Sequence, residues 1–88
     1  MTTQARPQVQ VYTMDHCPYC ERAKTLLKQR AIVFQEIRVA MDDDAQWESL
    51  RKRTGMQTMP QIFHGDEVIG GYQQLVELDR QDQLKSLG

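Results

Sequence analysis

An abrupt change of hydrophobic period at a pair of cysteines is what most constrains the fold of this chain. Val9, Val11 and Thr13 alternate with Gln10, Tyr12 and Met14, the period of two expected of a strand. From Cys20 onward the apolar positions Cys20, Ala23, Leu26 and Leu27 recur at helical spacing, and Pro18 suits a first helical position, where its missing N–H costs nothing. A strand, with Pro7 just upstream of it, must therefore pass through a short loop into a helix from Pro18 to Arg30. That loop delivers Cys17 to the amino end of the helix.

The remaining segments extend this start into one domain over residues 1–88. Val33 to Val39 is rich in β-formers and predicts a second strand parallel to the first, closing a βαβ unit. The Asp42-Asp43-Asp44 cluster suits a helix start with a solvated face, Trp47, Leu50 and Arg51 follow at turn spacing with Trp47 in the core, and Gly55 can end that helix. Gln61 to His64 and Glu67 to Gly70 flank Gly65-Asp66, which suits a tight II′ turn and makes these strands antiparallel. Leu75, Val76, Leu78, Leu84 and Leu87 fit a final amphipathic helix opening near Tyr72, although the period drifts between Leu78 and Leu84. The order βαβαββα implies an α/β fold, a mixed four-stranded sheet with three helices covering both faces. This is the order of a minimal thioredoxin-like fold.

Composition narrows the function classes. The 88 residues are 40% hydrophobic and 26% charged with a formal net charge of -1, which gives no electrostatic footprint for nucleic acid. No run approaches the roughly 18 apolar residues of a membrane span, and the first residues lack an apolar leader segment, so a cytoplasmic location is expected. A disulfide between Cys17 and Cys20 closes so small a loop that it is worth only about 2 kcal/mol as a staple. Its value lies in redox exchange.

A thiol attacks a disulfide as its thiolate, and an ordinary cysteine is only a few per cent ionised at neutral pH. At the amino end of a helix Cys17 faces free backbone N–H groups and the positive end of the helix dipole, both of which favour the anion. Cys20, in register with Ala23 and Leu27, belongs to the core-facing stripe and is expected to be the less accessible, resolving thiol. Zinc is the competing use of a C-x-x-C pair. It would need two further ligands, and His16, adjacent to Cys17, and His64, in a predicted strand, are the only histidines. His16 is expected to be a solvent-exposed loop residue without a catalytic role.

Three segments resemble the dithiol glutaredoxins: Tyr12 to Cys20 with its C-P-Y-C centre, Thr58-Met59-Pro60-Gln61-Ile62-Phe63, and Ile69-Gly70-Gly71-Tyr72-Gln73-Gln74-Leu75. The likeness spans nearly the whole chain. It implies a glutathione-dependent oxidoreductase that reduces protein disulfides and protein–glutathione mixed disulfides, monomeric and without a metal. It implies a cis bond before Pro60, with the Met59 N–H and C=O turned toward Cys17 to pair with a bound peptide as an added strand does. It also implies a glutathione groove made by Tyr19, Gln57, Thr58, Met59, Pro60, Gly71, Tyr72 and Gln73. In it the γ-glutamyl carboxylate meets the N–H groups of Tyr72 to Gln74, and the double glycine permits close approach of the ligand.

The chain departs from the pattern at three places. Acidic residues often stand at Gln73 and Gln74, where one carboxylate pairs with the γ-glutamyl ammonium; an amide oxygen accepts that bond more weakly, at a loss of about 1 kcal/mol. A lysine often stands at Met14, and Gln57 is its one obvious substitute here. These changes raise a rival, a glutaredoxin-shaped carrier reduced by thioredoxin reductase. A different class, a glutathione-ligated iron–sulfur carrier built on two copies of Cys17, is disfavoured by Pro18 and Cys20, where glycine and serine are commonest in cluster-bearing relatives.

Overall fold

The computed structural model describes residues 8–84. Its elements run β1 Val9–Thr13, α1 Pro18–Gln29, β2 Phe34–Arg38, α2 Asp44–Thr54, β3 Gln61–His64, β4 Glu67–Gly70 and α3 Tyr72–Arg80, the expected order βαβαββα. The sheet order is β2-β1-β3-β4. β1 pairs in parallel with β2 from Val9↔Phe34 to Thr13↔Arg38, and antiparallel with β3. β3 and β4 form the antiparallel hairpin around Gly65-Asp66, with a register shift between Ile62 and Phe63. Pro7 and Leu87 lie outside the described residues.

Alternation along β1 divides the core. Val9, Val11 and Ile62 pack with Ala23 and Leu27 of α1 and Leu75 of α3, while Phe63, Val39 and Leu50 of α2 form a second cluster that includes Cys17, Cys20 and Met59. Both cysteines thus sit where an apolar cluster reaches the end of the sheet. Among the described residues, no helix is long and apolar enough to cross a membrane.

Local chemistry sets the element ends. Asp43 caps α2 by accepting the Gln46 N–H at 3.2 Å, and Gly55 closes it in the left-handed region with φ 74°. β2 is shorter than its β-formers suggest, because Val33 is 72% exposed and Val39 continues past the strand into the second cluster. Trp47 is half-buried at the edge of that cluster and not within it, since its indole N–H reaches back to the Ala40 carbonyl at 3.1 Å. α3 stops at Arg80, earlier than the leucine pattern implies. Asp82 takes φ 56° and the Gln83 N–H returns to the Leu78 carbonyl at 2.9 Å, so the chain reverses and buries Leu84 to 1% exposure. The drift of period after Leu78 is this reversal.

Candidate functional site

Cys17 is the N-cap of α1. Its backbone is extended (φ -119°, ψ 96°), Pro18 occupies the first turn, and its sulfur accepts the Cys20 N–H at 3.2 Å. The side chain thus does with sulfur what a capping serine does with oxygen, and an anion there meets both that donor and the helix dipole. Cys17 is 8% exposed and Cys20 1%, with Cα atoms 5.2 Å apart and the two sulfurs joined as a disulfide. His16 is exposed, as expected, with φ 58°. Among the described residues, no group of three or more His, Cys, Asp or Glu side chains is arranged to hold a metal ion.

Opposite Cys17 stands the loop before β3. The Met59–Pro60 peptide is cis, and the Met59 carbonyl oxygen lies 3.7 Å from Cys17 Sγ. Beside this contact runs a groove of about 360 Å³. Tyr19, Thr58, Met59, Pro60, Gly71, Tyr72 and Gln73 all line it, so seven of the expected positions converge from three separate stretches of chain. Tyr19 stacks at a tilt on Tyr72, with ring centroids 5.8 Å apart, and the Arg22 guanidinium lies 5.1 Å over its ring. Gln57 is not brought in. It borders a neighbouring depression with Asp44, Trp47, Glu48 and Arg51.

Met56 and Gln74 complete the lining, which contains no charged side chain. Gln74 is already engaged, because its Oε1 accepts the Gly71 N–H at 2.8 Å and ties off the start of α3. Gly70 makes room for this bond. Gly70 has φ 123°, and a Cβ there would come within 2.8 Å of Gln74 Cγ, so the space the glycine leaves holds the Gln74 side chain. Gly71 has no side chain with which to cap α3, and no hydrogen bond engages the N–H groups of Tyr72, Gln73 and Gln74 among the described residues.

Gln61 is a residue that motif spacing did not single out. It is fully buried, its Nε2 donates to the carbonyls of Met56 at 3.3 Å and Thr58 at 3.1 Å, and its Oε1 lies 3.1 Å from the Thr54 hydroxyl, whose single proton it shares with the Leu50 carbonyl at 2.9 Å. The signal available was a lone amide heading a strand whose next residues, Ile62 and Phe63, are both buried.

On the sheet side, Glu36 gathers Thr13 Oγ1 at 2.8 Å, Lys24 Nζ at 3.1 Å and Arg38 at 3.4 Å, joining β1, α1 and β2 near the loop that carries Cys17. Burial pushes the Glu36 carboxyl up, but the hydrogen bonds from Thr13, Lys24 and Arg38 outweigh it and hold the group below the usual carboxylate range. Lys24 is likewise pushed down by burial and raised overall by Glu21 and Glu36.

Known proteins match this arrangement in sequence and in structure. The glutaredoxin family profile matches residues 9–69. Glutaredoxin 3 of Escherichia coli K12 is 42% identical over 79 residues, covering 90% of this chain and 94% of its own. A glutaredoxin of Pseudomonas aeruginosa is 41% identical over 81 residues, covering 92% and 95%. The crystal structure of a buckwheat glutaredoxin–glutathione complex superposes with a TM-score of 0.83 at 32% identity, covering 91% of this chain and 74% of that one. Similarity of this extent makes the chain a member of the glutaredoxin family, thiol–disulfide oxidoreductases of thioredoxin-like fold.

Proposed function

We propose that this protein is a single-domain, cytoplasmic, monomeric oxidoreductase that reduces protein disulfides and protein–glutathione mixed disulfides with electrons from glutathione. One observation carries the reading: the sulfur of Cys17 accepts the Cys20 N–H at the start of α1 and lies 3.7 Å from the carbonyl oxygen of Met59, a residue that lines the groove. The buckwheat relative solved with glutathione supports the choice of ligand.

With a mixed disulfide, the Cys17 thiolate attacks the glutathione sulfur. The substrate's sulfur leaves as a thiolate and takes a proton from solvent, and Cys17 is left bonded to glutathione. A second glutathione thiolate then attacks that glutathione sulfur, forming glutathione disulfide and restoring Cys17. With a protein disulfide, Cys17 forms the mixed disulfide and Cys20 attacks the Cys17 sulfur, releasing the reduced substrate. Two glutathiones then reduce the Cys17–Cys20 bond. The groove's part is to seat the glutathionyl peptide: the Met59 N–H and C=O pair with its backbone, and the free N–H groups of Tyr72 to Gln74 receive its γ-glutamyl carboxylate.

Cys17→Ser is expected to abolish both reactions. Cys20→Ser is expected to keep glutathione-dependent removal of glutathione from a peptide and to lose reduction of a protein disulfide. Equal loss of both in Cys20→Ser contradicts the assignment.

The uncharged lining favours a second reading, reduction by thioredoxin reductase. Reduction of the Cys17–Cys20 disulfide by NADPH and thioredoxin reductase, but not by glutathione with glutathione reductase, establishes that alternative.

A further inference from the structure

We infer that Gln61 is a positioning residue that aims the Met59 N–H into the groove; the inference rests on the reading above, in which that N–H pairs with a glutathionyl or peptide backbone. The peptide between Thr58 and Met59 sets the direction of this N–H. The one cis peptide among the described residues is Met59–Pro60, so the Thr58–Met59 peptide is trans and its C=O and N–H point in opposite directions. Gln61 draws the Thr58 oxygen inward at 3.1 Å, onto an amide that is itself fully buried. The Met59 N–H, antiparallel to that C=O in the same peptide plane, therefore faces outward, where Thr58 and Met59 line the groove. No hydrogen bond engages it among the described residues.

The hold on this peptide is firm because both N–H groups of the Gln61 amide are engaged. Its second N–H contact is the Met56 carbonyl, its oxygen shares the single Thr54 hydroxyl proton, at 3.1 Å, with the Leu50 carbonyl at 2.9 Å, and that hydroxyl oxygen accepts the Met56 N–H at 2.9 Å. The loop is therefore anchored at Met56 and at Thr58 from beneath, and every buried polar side-chain atom in the described residues has a partner. Only Gln or Asn carries two donors and an acceptor on one neutral group, and Asn is one methylene shorter. Gln61 touches neither sulfur nor ligand. Its effect passes through the orientation of one donor.

The test compares two thiols that reduce the Cys17–Cys20 disulfide of the full chain. Glutathione has peptide carbonyls for the Met59 N–H, and 2-mercaptoethanol has none. In Gln61→Met, close in size but without donors, the second-order rate constant with glutathione is expected to fall roughly fivefold, the worth of one net hydrogen bond, while that with 2-mercaptoethanol stays within about twofold. Parallel changes with both thiols, or no change with either, overturn the inference. Should wild type itself show no advantage of glutathione over 2-mercaptoethanol, the peptide-capture reading fails, and this inference with it.

Amide exchange on the wild type and on Cys20→Ser keeps the proposal testable if Gln61→Met does not fold. The Met59 amide is expected to exchange rapidly in the free reduced protein and to slow at least about tenfold once Cys20→Ser carries glutathione on Cys17. A Met59 amide already protected in the free protein, or unprotected in the glutathionylated one, contradicts an outward N–H that pairs with the ligand.

Discussion

Cys17 shows how far one residue can be read from its neighbours. Helix start signals around Pro18 predict a cap at this position, and the sulfur occupies it with the Cys20 N–H at 3.2 Å. Cys20 is equally legible, because helical spacing alone puts it beside Ala23 and Leu27 in the interior. The amides were harder. Gln73 and Gln74 look equivalent in the sequence and both are exposed along the groove, yet only Gln74 turns its oxygen back on the Gly71 N–H. Which of two adjacent amides faces a ligand depends on rotamers and on the space left by Gly70, and neither has a sequence period. The difference leads to an expectation. Gln73→Asp places a carboxylate where a γ-glutamyl ammonium can reach it, and a charge-assisted bond is worth about 1 kcal/mol more than a neutral one. The KM for a glutathionylated peptide should fall severalfold while the rate with a small uncharged thiol is unchanged; an unaltered KM places the ammonium elsewhere.

Elements were legible where caps and periods agree. Pro18 opens α1, Asp43 and Gly55 bracket α2, and the Gly65-Asp66 turn sets the hairpin. Ends decided by tertiary contacts were not. β2 is curtailed at its start because Val33 faces solvent, and α3 ends early because Leu84 is recovered by a reversed turn that no local propensity encodes. That turn holds Leu84 against the Val9, Val11 and Leu27 cluster at 1% exposure. Leu84→Ala is therefore expected to destabilise the fold by about 2–4 kcal/mol in denaturant unfolding, as for a buried leucine and not for a frayed terminus. A loss below about 0.5 kcal/mol means the reversed turn contributes no packing.

At the scale of the molecule, the order of elements specified the sheet, and the sheet brings the loop after β1, the loop before β3 and the start of α3 to one side. Motif spacing therefore located most of the groove. It did not reveal the absence of charge in the lining, nor the Gln61 network beneath the Met59 loop, because both depend on which side chains the packing turns inward. The electrostatics on the sheet side yield a pH dependence. Glu36, held below the ordinary carboxylate range by Thr13, Lys24 and Arg38 against burial, stabilises the fold above its unfolded pKa of about 4.3, and that contribution disappears as pH falls through the lower folded value. Wild type should exceed Glu36→Gln in melting temperature at neutral pH, with the gap closing below about pH 4; a gap constant with pH contradicts this.

Catalysis of the proposed kind requires that the amino end of α1 hold the reduced Cys17 sulfur as an anion. The most direct test is the pH dependence of Cys17 alkylation in reduced Cys20→Ser, a substitution that keeps the backbone N–H facing the sulfur. A midpoint below neutrality is expected, and one near the ordinary cysteine value of about 8.5 means that the helix end does not stabilise the thiolate.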